Sequence, residues 1–467
     1  MNGKMIRRYI NELSNPNASI RRIAAEKLSN GDERAIYPLI KALRDENTGV
    51  QDAAMRSLIA IGGETVSYMV IPLLREENAY LRNMAILILK SIGKPVLPLL
   101  PPLLRDCDED VRKFAVDLVC EIGECEYPEL IASLVENDIN PNVRASAAKA
   151  IGILKYRDGI KALRVGLQDE EWVCFSVLES IGMLKDEGLI DDIIPLLSNG
   201  SEALRFAAIE ALGMIGSKGS LEVLEKHLYK ATEIEKIEIL KWLIKNDLIP
   251  LGIDIFDDLM EMLKEGQWEE RLIAIKGLIL LRREDAIKDI LHIAGMIDPS
   301  NPEEETILFN IKDNLRKINC SNELIEAIKD SKVRFRAKTI AIELIGEMKC
   351  VEAIPYLVRL IEEDIRDVKR ASITAIGKME TEDSVEFLID VIDNPDGHVR
   401  KAAISALGKI GREVAFMPIL NLLNKEKYRD VIEEAINALL LIDRERFLSN
   451  IHTLSEPVKE IAEQIGF

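Results

Sequence analysis

The strongest constraint on what this chain can fold into is that it repeats itself. Laying HVRKAAISALGKIGREVAFMPILNLL, from His398, over NVRASAAKAIGILKYRDGIKALRVGL, from Asn142, gives one skeleton. It reads aliphatic, Arg, two variable residues, Ala, three variable residues, aliphatic, often Gly, then aliphatic and Gly. With the first aliphatic residue as position zero, the register falls at Ile20, Val50, Leu81, Val111, Val143, Val173 and Leu204, spaced 30, 31, 30, 32, 30 and 31 residues apart. It returns at Val333, Val368, Val399 and Val431, and survives weakly near Glu235, Glu270 and Ile307. A fixed period of this size marks a repeat architecture. It replaces the three globular domains that 467 residues would otherwise suggest.

Positions 0, +4, +8 and +11 share one helical face, so each unit opens with an amphipathic helix of about 12 residues. Position +4 is nearly always Ala (Ala24, Ala54, Ala85, Ala115, Ala147, Ala208, Ala274, Ala337, Ala403, Ala435), where a methyl group lets another helix approach closely. Glycine at +12 (Gly62, Gly93, Gly123, Gly216, Gly411) supplies the left-handed residue that ends a helix. A second apolar helix is expected to open near a proline, at Pro38, Pro72, Pro98, Pro195, Pro355 and Pro418. The unit is an αα-hairpin, and hairpins that cannot bury their faces alone must stack. The expected fold is all-α, an α-α superhelix of about 14 helical hairpins with a capping helix over residues 455–465.

The skeleton resembles the short HEAT-like repeats found in phycobilin lyase subunits and deoxyhypusine hydroxylase. The resemblance is strong over residues 15–220 and 330–445 and poor over 221–330. The expected organisation is regular repeats over 1–220, irregular helical repeats with a possible hinge over 221–330, and regular repeats with a cap over 331–467, all in one continuous solenoid. A deoxyhypusine hydroxylase-type di-iron site is implied to need His-Glu pairs. His227, His292, His398 and His452 are each followed by another residue and are scattered over different repeats. No metal, cofactor or catalytic constellation is therefore expected, and no GxSxG, HExxH or Walker A motif occurs. The nearest imitation, GMIGSKGS from Gly213, reads as helix-terminating glycines of the repeat itself.

Charge narrows the partner. The chain carries a formal −19, which disfavours nucleic acid because phosphate neutralisation needs a cationic surplus. The acidity is uneven: +4 over residues 1–100, −10 over 101–200, −6 over each of the next two hundreds and −1 over 401–467. Six scattered cysteines without a CxxC motif, and no apolar run near the roughly 20 residues of a membrane span, point to a cytoplasmic protein.

Arg at +1 recurs at Arg21, Arg82, Arg112, Arg144, Arg205, Arg271, Arg334 and Arg400. Acids such as Asp106, Asp138 and Asp364 precede several first helices, so this ladder is expected to tie neighbouring repeats by ion pairs. Arg44, Arg75 and Arg105 form a second set, six residues before position zero in three successive units. They favourably meet the end of a helix dipole, and the sharper reading is an anion-binding edge.

Departures from the skeleton are where function would show. In EEWVCFSVLESIG, Cys174 replaces the ladder Arg, and Phe175 stands at +2 where other units carry polar residues. Phe206 repeats this in the next unit, and Trp172 precedes position zero. Trp172, Phe175 and Phe206 are candidates for one partner-binding aromatic patch. Pro101 and Pro102 should bend or delay a second helix. The leading functional expectation is a monomeric, non-catalytic scaffold that binds a protein along a concave face lined mainly by second helices. The alternative is a lyase-like or chaperone subunit resembling the phycobilin lyases.

Overall fold

The computed structural model describes residues 2–465 except 299, 319, 363 and 364. Every regular element among them is an α- or 3-10 helix. Two compact units divide at Asn246 and Asp247, inside the segment where the repeat is irregular. Each unit is a stack of helical hairpins. The first unit contains the first helices Ala18–Lys27, Thr48–Ile61, Ala79–Ile92, Glu109–Ile122, Pro141–Ile153, Glu171–Leu184, Glu202–Ile215 and Glu233–Lys245. In the second they are Trp268–Leu280, Pro302–Arg316, Phe335–Glu347, Arg366–Met379, Gly397–Ile410 and the start of Arg429–Asn450. Glu456–Ile465 follows as the expected terminal helix.

The core is aliphatic because the register makes it so. Val50, Ala54 and Leu58 are fully buried at positions 0, +4 and +8, as are Val111, Ala115 and Val119. Side-chain oxygens fix where these helices start: Asn47, Asn78, Asp108, Asn140 and Asp396 each accept the amide two residues on. At the other end, +12 takes positive φ in most units, with or without glycine, the exceptions being Asp32 and Asp443 with φ of −108° and −158°. Gly62, Gly93, Gly123, Gly216 and Gly411 have positive φ, and so do Lys155, Lys185, Asp247, Arg282 and Glu380.

The structure changes the sequence reading at three places. In the eleventh unit, Lys349 has φ of +54° and Gly346 meets Ala375, which puts position zero at Ala337 instead of Val333. The spacing to Val368 then becomes 31 residues, and the ladder position passes from Arg334 to the buried Lys338. Pro355 opens its second helix, Ile354–Leu360, as expected, but other prolines sit further inside theirs. Pro38 is the sixth residue of Glu33–Ala42. Pro72 opens a 3-10 stretch after Gly63–Val70, and Pro195 separates Ile190–Ile193 from Leu196–Asn199. A proline ring excludes the carbonyl four residues back, so the second helices around Pro72 and Pro195 break into short pieces, while Glu33–Ala42 stays continuous through Pro38. Over Pro101 and Pro102 only the four-residue turn Leu100–Leu103 survives. Finally, Gly213 does not terminate a helix: it lies within Glu202–Ile215, and a Cβ there would sit 2.1 Å from the Trp242 ring.

Candidate interaction surface

Two recurring contacts build the row of first helices. The first is the Arg ladder. Arg144 Nη1 donates to the carbonyls of Asp138 and Ile139, at 2.9 and 3.1 Å, while Nε and Nη2 donate to Asp169 at 2.5 and 2.7 Å. One guanidinium thereby ties its own turn to the turn before the next first helix. Arg21 does the same with Asn15, Pro16 and Asp45, and Arg400 with Asn394, Pro395 and Glu426. The carboxylates respond. The Arg144 hydrogen bonds hold Asp169 below the usual carboxylate range. Burial would raise Asp138, but Arg112 and the Asn140 amide bring it below that range too. Asp364, another acid expected in the ladder, lies outside the described residues.

The second contact is between small residues. Gly at +9 of one first helix faces Ala or Ser at +7 of the next. A Cβ on Gly152 would lie 2.9 Å from Ser180 Cα, on Gly346 2.6 Å from Ala375 Cα, and on Gly408 2.8 Å from Ala438 Cα. Consecutive first helices thus pack backbone to backbone, whereas the broken second helices touch one another less. In the eighth unit +7 is Trp242, so an indole faces Gly213 where Ala or Ser faces the other +9 glycines.

With 0, +4, +8 and +9 buried, the exposed edge of a first helix carries +2, +6 and +10. The aromatic candidates fall on it. Trp172 and Phe175 are 49% and 45% exposed on Glu171–Leu184, and Phe206 is half-buried at the equivalent place on the neighbouring Glu202–Ile215. Both helices present the same triplet, Phe175, Glu179, Met183 and Phe206, Glu210, Met214. Cys174 is buried in place of the ladder Arg. Its thiol donates to the Leu167 carbonyl at 3.6 Å, and burial pushes its pKa up to about 11.

The second cation set sits elsewhere. Arg44 pairs with Glu76, and Arg75 with Asp106, the acid at the turn that Arg82 would otherwise reach. Arg82 donates to the carbonyls of Glu76 and Glu77 and, among the described residues, forms no ion pair with Asp106. Arg105 is exposed. Two of these three cations are thus neutralised by the following repeat. Among the described residues no group of His, Cys, Asp and Glu is arranged to hold a metal ion.

A feature that the sequence reading passed over lies in the second unit. A groove of about 710 Å³ runs across Arg366–Met379, Gly397–Ile410 and Arg429–Asn450. Its sides are the +2, +6 and +10 residues of two consecutive helices, Arg370, Thr374, Lys378 and Lys401, Ser405, Lys409. The periodic signal was present, but counting charge in blocks of a hundred averaged it away.

The HEAT repeat model matches residues 6–90, 96–177, 172–239, 321–397 and 363–440, most of the chain. This chain belongs to the HEAT-repeat family. The longest gap between matches, 240–320, falls where the register stretches to 35 residues from Glu235 to Glu270 and 37 from Glu270 to Ile307. No curated protein matches the sequence. Among solved structures, this HEAT-repeat chain is similar to yeast importin-β, Kap95p, in work on its binding to RanGDP. That match has a TM-score of 0.55 and 12% identity and covers 96% of this chain and 75% of the other. Kap121p matches with a TM-score of 0.50 and 14% identity, covering 98% of this chain, which spans 59% of Kap121p. At such identities the likeness is one of fold.

Proposed function

We propose that the chain is a non-catalytic adaptor that holds a protein partner along the exposed edge of its first helices. The observation that carries this is the small-residue stacking. In a curved stack of hairpins the more closely spaced row lies on the inside, and solenoids bind along that concave side. First helices meeting at Gly346 and Ala375 or Gly408 and Ala438 are that closer row. The reading moves the binding face from the second helices expected from the sequence to the first helices. It gives the partner one row of +2, +6 and +10 side chains per repeat.

In the first unit the proposed contacts are Trp172, Phe175 and Phe206, the first two exposed and the third half-buried on the neighbouring helix, since aromatic side chains are typical anchors. Arg105, exposed where Arg44 and Arg75 are paired, is the cation of the second set proposed to add to them. The chain acts as a monomer in the cytoplasm, where its six free thiols stay reduced. No described helix is long and apolar enough to cross a membrane.

The test is cross-linking of tagged full-length protein in an extract of its native source, followed by mass spectrometry of the conjugates. Cross-links should map to first-helix edges and fall in Phe175→Ser protein, while sedimentation shows a monomer without partner. Recovery of no specific protein, or cross-links confined to second helices, would overturn the proposal.

A further inference from the structure

We propose that the groove over Arg366–Met379 and Gly397–Ile410 binds an acidic peptide segment of the partner; this deepens the adaptor reading above and rests on it. The groove is cationic in a chain of net charge −19. Two stacked helices present the same order along their exposed edges: a cation, a hydroxyl and a cation. These are Arg370, Thr374, Lys378 on one and Lys401, Ser405, Lys409 on the other. Arg366 and Lys369 extend the cationic end.

Among the described residues, three of these six cations make internal ion pairs, and those pairs are long. Arg370 approaches Asp367 only to 3.8 Å, Lys401 approaches Asp430 to 3.7 Å and Lys378 approaches Glu347 to 3.4 Å, all exposed contacts. Such pairs exchange readily for a better carboxylate. Between the cations the lining is small and apolar, with Gly377, Ala402 and Ala406, so backbone of the ligand can come close.

Two features favour a peptide over nucleic acid. Asp430 and Glu434 line the third side of the groove, where a continuous phosphate backbone would be repelled but a peptide can place a neutral or basic residue. The cations at +2 and +10 are also two helical turns apart, about 12 Å along the axis. An extended peptide covers that span in about four residues. The groove therefore selects acidic side chains about four residues apart, with small or apolar residues between them.

The experiment pans a library of short random peptides against full-length protein near physiological salt. An enriched peptide is then synthesised with a fluorescein label and titrated by anisotropy. We expect enriched peptides to carry Asp or Glu at that spacing. The double variant Arg370→Glu/Lys409→Glu should bind the labelled peptide about tenfold or more weakly with an unchanged melting temperature, and raised salt should weaken binding. Lys218→Glu, an exposed reversal in the other unit, should change nothing. Lys378→Gln/Lys401→Gln provides a second, milder pair should the double reversal fail to fold.

Neutral or basic consensus peptides, no enrichment, or binding indifferent to both double variants would overturn the proposal. So would an oligonucleotide that displaces the peptide and binds more tightly. These failures are separable from failure of the adaptor reading, because cross-links at Phe175 would survive them.

Discussion

Arg112 holds Asp138 by two parallel hydrogen bonds, Nε to Oδ2 at 2.6 Å and Nη2 to Oδ1 at 2.8 Å, with the carboxylate nearly inaccessible to water. The same carboxylate accepts the Asn140 amide at 2.9 Å and so fixes the turn that starts the next first helix. The arginine needs its fork, because Nη1 simultaneously serves the carbonyls of Asp106 and Cys107. Lysine offers a point charge and cannot satisfy four acceptors in one plane. We expect Arg112→Lys to cost about 1–2 kcal/mol. Asp138→Ala should cost about 3 kcal/mol, because it leaves a mostly buried guanidinium without its anion. Hydrogen exchange should localise both losses to residues 100–155, since repeats depend chiefly on their neighbours. Loss spread evenly over the chain would contradict the ladder's role as a nearest-neighbour tie.

Gly213 and Trp242 make a contact of another kind. The indole occupies the space that a Cβ on residue 213 would need, with the nearest ring atom 2.1 Å from it. Gly213→Ala should therefore lose about 2–3 kcal/mol by overpacking. Replacing Trp242 with Leu opens the space, so Gly213→Ala added to Trp242→Leu should cost under about 1 kcal/mol more. Additive losses in urea denaturation of the single and double variants would show that the strain lies elsewhere.

Position +12 makes a prediction with the opposite sign. Lys185 has φ and ψ of 52° and 42°, a left-handed conformation in which a side chain is strained. Lys185→Gly should raise stability by about 0.5–1 kcal/mol, because native strain is relieved at some cost in unfolded-chain entropy. Gly62 has φ and ψ of 61° and −164°, a region open essentially only to glycine. Gly62→Ala should lose about 2 kcal/mol. The denaturation midpoints of the two variants should move in opposite directions; parallel movement would remove the argument.

How much of this was legible in the sequence follows from which atoms carry the signal. Arg at +1 and Ala at +4 are chemically distinctive, so the ladder and helical face could be read from Val143 or Val399 without coordinates. The register failed in the eleventh unit because Val333 and Arg334 imitate positions 0 and +1. The true pair, Ala337 and Lys338, contains neither a β-branched residue nor an arginine. Only the left-handed turn at Lys349 and the packing of Gly346 on Ala375 separate the two alternatives. The groove escaped for a different reason. Arg370, Lys378, Lys401 and Lys409 are ordinary residues at solvent positions, and they become a site only when two helices stack in register. Non-glycine residues with positive φ at +12, such as Lys155 and Glu380, were likewise invisible, because their residue type does not mark that geometry.

Protons should act on the stack in two separate windows. His227 has a buried Nε2 without a hydrogen-bond partner among the described residues, and burial lowers its pKa below the ordinary 6.5. The folded state therefore favours the neutral ring. Its contribution is complete above the unfolded value, and is lost as pH falls below about 6.5 through the folded value. The carboxylates act later. Asp169, held down by its Arg144 hydrogen bonds, contributes stability that is complete above the unfolded carboxylate value of about 4 and is lost as pH falls further through its folded value. Glu426 acts in the same direction: burial opposes ionisation, but Arg400 and the backbone amides of Tyr428 and Lys427 outweigh it. Melting temperature against pH should thus show a small decline beginning near pH 6.5 and a steep one below about pH 4. His227→Gln should remove the first decline and leave the second. Asp169→Asn should lower stability at neutral pH and flatten the acid limb, because the variant has one fewer carboxylate to protonate. A first decline that persists in His227→Gln protein would assign it to another group and sink the histidine argument, while leaving the ladder's acid dependence to stand on the Asp169→Asn result.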